Sequence, residues 1–340
     1  MTGSAPEPTQ STTSAPLPAS PPLPSPPPTE LEPAPQGLEP LVAGHNRASA
    51  DRINLVLAPW GWDDLDEFRT VASTFVDWSG HAQLWGQDGL PLGAGADPSQ
   101  AGGADLGLFG FEPFRSHRNS MNVWTTTQSP DQPYDWFDRD LAPNLATDQV
   151  IVVLAVQRQD GSTGNSSSGQ NGVFTDPVYL ARETDQPFEN ATVIVDPGYP
   201  AGSIRHLPHE LGHAMFGFAD EYVGRERGYD FEPRNAFWPS CADSQVRAEG
   251  WWSDHLGEYD DQLDYWAKEM TAVGFGPTPE ALVAMREQNT TAYVPGGYFE
   301  VPGSVRSAQD TLMGFNFPEY GVTNRLWAQQ VLDLWSGTDR

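Results

Sequence analysis

One cysteine, Cys241, stands in the 340 residues of this chain. An intrachain disulfide is excluded, so the fold has to be held by a core of its own. Nothing around Cys241 marks it as a nucleophile with His206 or His255 as its base, and an inert thiol is expected. Basic residues are also scarce. Lys268 is the single lysine, and Lys and Arg together number 18 against 46 Asp and Glu. The resulting net charge of −28 repels nucleic-acid phosphates and anionic lipid, which excludes DNA and RNA as expected partners. No apolar run approaches the roughly 18 residues of a membrane span. The acidic stretches Asp131–Asp140 and Glu258–Asp264 lack the spacing of a calcium loop and read as surface charge.

Proline is abundant, and its distribution divides the chain. The first 40 residues hold 13 of the 32 prolines, among many Ser, Thr and Ala. Such a segment buries too little apolar surface to offset its ordering entropy. Residues 1–48 are therefore expected to be a disordered Pro/Ser/Thr-rich spacer, and residues 49–340 a folded domain. A chain starting near Ala48 is expected to fold and act like the full one.

Beyond the spacer, apolar periodicity alternates between two and 3.6 residues. Ile53–Ala58, Asn122–Thr127, Val150–Val156 and Thr192–Asp196 read as strands. Leu65, Phe68, Val71, Ala72, Phe75 and Val76 mark a helix. Further helices are expected at His206–Phe218, Asp261–Val273, Pro279–Gln288 and Asn324–Trp335. Pro208 is tolerable only in a first helical turn, so the helix that contains it is expected to start late. The Gly- and Ser-rich stretches Gly93–Gly110 and Gly161–Gly172 read as loops. Strands mixed with helices first, then mostly helices, predict an α/β fold.

The chemistry concentrates in residues 209–222, His-Glu-Leu-Gly-His-Ala-Met-Phe-Gly-Phe-Ala-Asp-Glu-Tyr. Two histidines at i and i+4 lie on one face of a helix and can share a metal ion. The metal predicted from imidazole and carboxylate ligands is one zinc ion per chain. Glu210, about 100° further around the helix, suits a general base and not a ligand. Gly217 reads as the helix stop. Asp220 is the first choice for third ligand and Glu221 its rival. The alternative is a helix that carries two histidines by chance. Downstream, Thr311-Leu312-Met313-Gly314-Phe315 places Met313 in a short apolar turn, the mark of the metzincin class of zinc proteases. One extra residue separates the second histidine from Asp220 when compared with the usual metzincin string.

Residues His209–Tyr222 resemble the active-site segment of the peptidase M64 family, which includes bacterial IgA-cleaving metallopeptidases. Arg52–Leu57, Trp60-Gly61-Trp62 and the helix Asp64–Trp78 resemble that family's opening strand, turn and helix. Phe111-Glu112-Pro113-Phe114 through Asn122-Val123-Trp124 and Ser129 resembles its next strand. The likeness spans about residues 52–335 and is strongest at 209–222. It implies a zincin, metzincin-like fold: a twisted mixed sheet, an active-site helix and a helical C-terminal part. It also implies a zinc-dependent endopeptidase acting on a protein or peptide.

The ligand set then predicts hydrolysis by a metal-activated water, with Glu210 moving its proton to the leaving amine. Tyr222 and Tyr320 are candidate donors to the anionic intermediate, against the commoner packing role. Two other classes remain open: a zinc hydrolase acting on a non-peptide or cell-wall substrate, and a metal-retaining binding module without turnover. A Pro/Ser/Thr spacer ahead of such a domain is expected of an exported or cell-surface protein, although no signal-peptide pattern is visible.

Overall fold

The computed structural model of the chain describes residues 37–41, 53–60, 62–75, 82–86, 101–106, 108–127, 150–157, 168–171, 191–195, 206–221, 237–238, 240–272, 276–297, 303–314 and 317–335. In chain order the strands are β1 (Glu39–Pro40), β2 (Ile53–Trp60), β3 (Ala82–Gly86), β4 (Ala101–Leu106), β5 (Met121–Thr125), β6 (Val150–Gln157), β7 (Ser168–Asn171), β8 (Ala191–Val195), β9 (Phe237–Trp238), β10 (Cys241–Ala242), β11 (Val294–Pro295) and β12 (Val305–Arg306). The helices are α1 (Leu65–Phe75), α2 (Phe114–His117), α3 (His206–Phe216), α4 (Gln245–Trp252), α5 (Gln262–Ala272), α6 (Pro279–Asn289) and α7 (Val322–Trp335).

A six-stranded mixed sheet has the order β1-β5-β2-β6-β8-β7. Its interior strands β5, β2, β6 and β8 run parallel, and β1 and β7 close the two edges antiparallel. β2 reads as a continuous apolar run because both of its faces are covered, as parallel strands require. Ile53, Leu55 and Leu57 belong to the main core, while Asn54 lies among buried side chains, accepting from Asn122 Nδ2 at 3.2 Å and Trp124 Nε1 at 2.9 Å. A second, antiparallel sheet has the order β11-β12-β10-β9.

One hydrophobic cluster joins the elements that build the site. It contains Phe68 and Ala72 of α1, Leu211, Met215 and Phe216 of α3, Leu312 and Met313, and Ala328, Val331 and Leu332 of α7. α1 starts where it was expected. Asp64 Oδ1 accepts the N–H groups of Asp66 at 2.9 Å and Glu67 at 3.1 Å, a side-chain N-cap. Thr278 caps α6 in the same way, with Pro279 just inside the helix.

Several expectations need correction. α3 starts at His206, with Pro208 third in line, where its missing N–H has no helical partner to lose. The helix ends at Phe216, two residues early, because Gly217 adopts φ 69°. The two Gly-rich stretches contain backbone-paired strands. β4 pairs with β3, and β7 pairs with β8 beside α3. Backbone pairing needs no apolar alternation, so periodicity could not reveal them. The stretch from Phe111 becomes a strand only at Met121; before it lie α2 and a 3₁₀ turn. The acidic stretch Asp131–Asp140 lies outside the described residues.

The spacer boundary also moves. Leu38 is buried, Glu39 and Pro40 pair with Thr125 and Trp124, and Leu41 N–H reaches the Val123 carbonyl at 3.1 Å. Arg69 pairs with Glu39. A truncation at Ala48 removes this edge strand. Deleting residues 1–36 is expected to leave stability unchanged. Deleting 1–41 is expected to cost about 2 kcal/mol, mainly from burial lost at Leu38. Urea unfolding of the two truncations against the full chain checks this, and equal midpoints for all three would contradict it.

Candidate metal centre

α3 carries His209 and His213 on one face. Their rings lie 4.8 Å apart, edge to face at 89°. The helix must stop just beyond His213 if a third group is to return to the same spot. Gly217 supplies the stop. Its N–H reaches the His213 carbonyl at 3.3 Å, a left-handed cap that a side chain would strain. The N–H of Phe218 then bonds the Gly212 carbonyl at 3.1 Å, and the chain turns back towards Asp220.

The three groups converge. His209 Nε2 lies 3.2 Å from His213 Nε2, and Asp220 Oδ1 lies 3.3 Å and 3.2 Å from the two nitrogens. A tetrahedral zinc ion with ligand bonds of about 2.0–2.1 Å spaces its ligand atoms about 3.3–3.4 Å apart. The observed triangle has nearly those dimensions. Among the described residues this is the one group of three or more His, Cys, Asp or Glu whose ligand atoms lie within 4.8 Å of one another.

Hydrogen bonding on the far side of each ring decides what the near side offers. His209 Nδ1 donates to the Leu312 carbonyl at 2.9 Å, and His213 Nδ1 donates to the Phe218 carbonyl at 2.7 Å. Carbonyl oxygens only accept, so each Nδ1 carries the hydrogen and each neutral ring presents a lone pair at Nε2. Two such lone pairs and a carboxylate oxygen within 3.3 Å repel unless positive charge lies among them. Burial works to raise the Asp220 pKa. With the imidazoles protonated, the charge of His213 and hydrogen bonds from both rings outweigh it and hold this carboxyl well below the ordinary range. The donor set therefore fits zinc in type, number and spacing. His213 is 20% exposed and His209 5%, so the open side of the site is at His213.

Met313 lies beneath the helix. A Cβ on Gly212 would come 2.7 Å from Met313 Sδ, so the glycine lets the turn approach α3. The Leu312 carbonyl that fixes His209 is itself set by the Leu312 N–H, which bonds the Glu319 carbonyl at 2.7 Å. Tyr320, a candidate donor to the intermediate, is fully buried and gives its O–H to the Pro208 carbonyl. It braces the start of α3, the packing role. Glu221, the rival ligand, is buried and accepts from Thr311 Oγ1 at 2.8 Å and Asn324 Nδ2 at 2.9 Å. Tyr222 and the side chain of Glu210 lie outside the described residues; Glu210 itself follows His209 on α3. Cys241 is buried, with its thiol towards the Asp220 carbonyl at 3.9 Å, and His255 pairs with Glu258 at 3.0 Å. Sequence reasoning missed Ser240 and Asn324, which carry no motif, and the role of Thr311, which stood unused in the quoted turn.

No family model matches this chain, and no curated protein matches it.

Two outcomes are expected from this geometry. Metal analysis should find about one zinc per chain. His213→Ala and Asp220→Ala should both lose it; full occupancy in either would contradict the ligand set. The second concerns Glu319, a fully buried carboxyl that burial and the charges of Asp260 and Glu112 push well upward against Arg115 and Arg325. Above the unfolded value of about 4.3, the unfolded chain has lost this proton while the folded chain keeps it, so stability falls as pH rises. Glu319→Gln should therefore gain melting temperature over the wild type progressively from about pH 5 to 8, by roughly 2 °C or more at the upper end. Parallel melting curves across that range would contradict it.

Proposed function

We propose that this chain is a zinc-dependent endopeptidase with a zincin, metzincin-like catalytic domain, of the kind its residues resemble in the peptidase M64 family. His209, His213 and Asp220 hold the ion. The observation that supports this reading most is the triangle of ligand atoms with edges of 3.2–3.3 Å, backed by Nδ1–H groups anchored to carbonyls. A chance pair of histidines has no reason to meet a carboxylate at tetrahedral spacing with both tautomers fixed.

Bound zinc supplies Lewis acidity, lowering the pKa of water and polarising a carbonyl. The residues of the chain do the rest. His209 and His213 stay neutral and oriented because their Nδ1–H groups are spoken for. Asp220 adds a negative ligand, which moderates the charge of the loaded site. Glu210, next to His209 on α3, takes the proton of the attacking water and delivers it to the leaving amine. The more exposed His213 marks the side from which a protein or peptide substrate reaches the site. Tyr320 is not available as a donor to the intermediate, since its hydroxyl is held by Pro208. The reading includes an exported or cell-surface setting, which a Pro/Ser/Thr spacer before a protease domain suits.

Glu210→Gln separates base from ligand. The variant should keep its zinc and its fold. Cleavage of a peptide library should fall about 10²–10⁴-fold, the usual worth of a positioned acid–base group. A chelator should inactivate the wild type, and added zinc should restore it. Undiminished cleavage by the Gln variant would mean that water is activated elsewhere. Loss of zinc in that variant would make Glu210 a ligand.

A further inference from the structure

We infer that Glu221 is the positioning residue for the carboxylate ligand: it does not bind the metal, and it fixes where Asp220 points. The inference rests on the zinc-site reading above.

The two adjacent acids face different partners. Asp220 Oδ1 meets the imidazoles of α3. Glu221 sends its carboxyl into a pocket formed by the turn at 311–313 and the first turn of α7. Thr311 Oγ1 donates to Oε2 at 2.8 Å, and Asn324 Nδ2 donates to Oε1 at 2.9 Å. Both partners are themselves fully buried and tied down. Thr311 Oγ1 accepts the Met313 N–H at 3.2 Å, and Asn324 Nδ2 also reaches the Tyr320 carbonyl at 3.1 Å. The Glu221 N–H donates to the Met313 carbonyl at 3.0 Å. Glu221 thus joins the ligand loop to the turn and to α7 by three bonds.

The other side of Asp220 is held as well. Ser240 Oγ accepts the Ala219 N–H at 2.8 Å and faces the Ala219 carbonyl at 3.3 Å. With residues 219 and 221 both anchored, the freedom left to Asp220 is largely that of its own side-chain torsions. A ligand held this way gives up less entropy when the ion binds, which raises affinity. Glu221 acts on its neighbour through the backbone, and residues that orient ligands without binding the metal commonly change metal affinity by about 10–100-fold when they are lost.

The chemistry of the pocket selects the residue. Two donors converge on two oxygens, which suits a carboxyl. The substitution Glu221→Gln would keep the shape and the bond from Asn324 but set an N–H against Thr311. The substitution Glu221→Ala would lose both bonds and leave a cavity.

The test uses the full chain loaded with zinc, and separately with cobalt(II), whose visible absorption reports ligand number and geometry. Zinc affinity is measured by competition with a chelating dye. Glu221→Ala should bind zinc about 10–100-fold more weakly and show an altered cobalt spectrum. Glu221→Gln should recover most of the affinity and the native spectrum. Thr311→Val, which removes one donor at nearly constant volume, should fall between them, and its effect should shrink when combined with Glu221→Ala. Native zinc affinity and a native cobalt spectrum in a folded Glu221→Ala protein would overturn the inference. So would loss of metal in Glu221→Ala alongside retention in Asp220→Ala, which would make Glu221 the ligand. If Glu221→Ala does not fold, Thr311→Val and Glu221→Gln decide: native binding in both overturns the inference. A wild-type chain that binds neither zinc nor cobalt would remove the zinc-site reading itself, and this inference with it. Variants that bind normally beside a wild type that binds would remove this inference alone.

Discussion

Three electron-pair donors held within 3.3 Å of one another are the constraint that shapes this molecule around α3. Such a group is unfavourable in a buried, ion-free site, because lone pairs and a carboxylate repel where water cannot screen them. Elements distant in sequence hold it in place. The glycine stop at 217 turns the chain, Ser240 and Glu221 anchor both sides of Asp220, and the carbonyls of Leu312 and Phe218 lock the imidazoles. The turn at 311–314 and α7 carry much of that load, and Leu312, Met313, Ala328, Val331 and Leu332 belong to the same hydrophobic cluster as α3. Core packing and the geometry of the His209, His213 and Asp220 cluster are therefore one problem here. A change that loosens Met313 beneath Gly212 also loosens His209.

The arrangement also accounts for roles that adjacent acids divide between them. Asp220 and Glu221 are neighbours with the same charge, yet burial, hydrogen bonds and charge treat them oppositely. Protonated imidazoles would hold Asp220 well below the usual carboxylate range. Burial pushes Glu221 up to about 8, opposed by the bonds from Asn324 and Thr311. One meets the two imidazoles of α3, the other is a buried strut between the turn and α7.

Much of this was legible in the residues. The spacing of His209 and His213, the glycine just past the helix end and the carboxylate after the turn mark out the His209, His213 and Asp220 cluster without coordinates. The strand at Ile53 and the helix that holds Leu65, Phe68 and Ala72 follow from apolar periodicity. What stayed hidden depends on long-range contact. β4 and β7 are Gly-rich strands held by backbone pairing, which leaves no side-chain period. β1 lies inside a Pro-rich stretch whose composition speaks for a spacer, and its partner β5 is more than 80 residues away in sequence. The choice between Asp220 and Glu221, and the retirement of Tyr320 to a bracing role, required knowing which donors each side chain meets.

X-ray absorption at the zinc edge of the purified, zinc-loaded chain tests the central claim most directly. The account expects a shell of nitrogen and oxygen neighbours at about 2.0–2.1 Å, with outer scattering from two imidazoles and none from sulfur. A sulfur neighbour at about 2.3 Å, which Cys241 is the one cysteine able to provide, or outer scattering from fewer than two imidazoles, would contradict it.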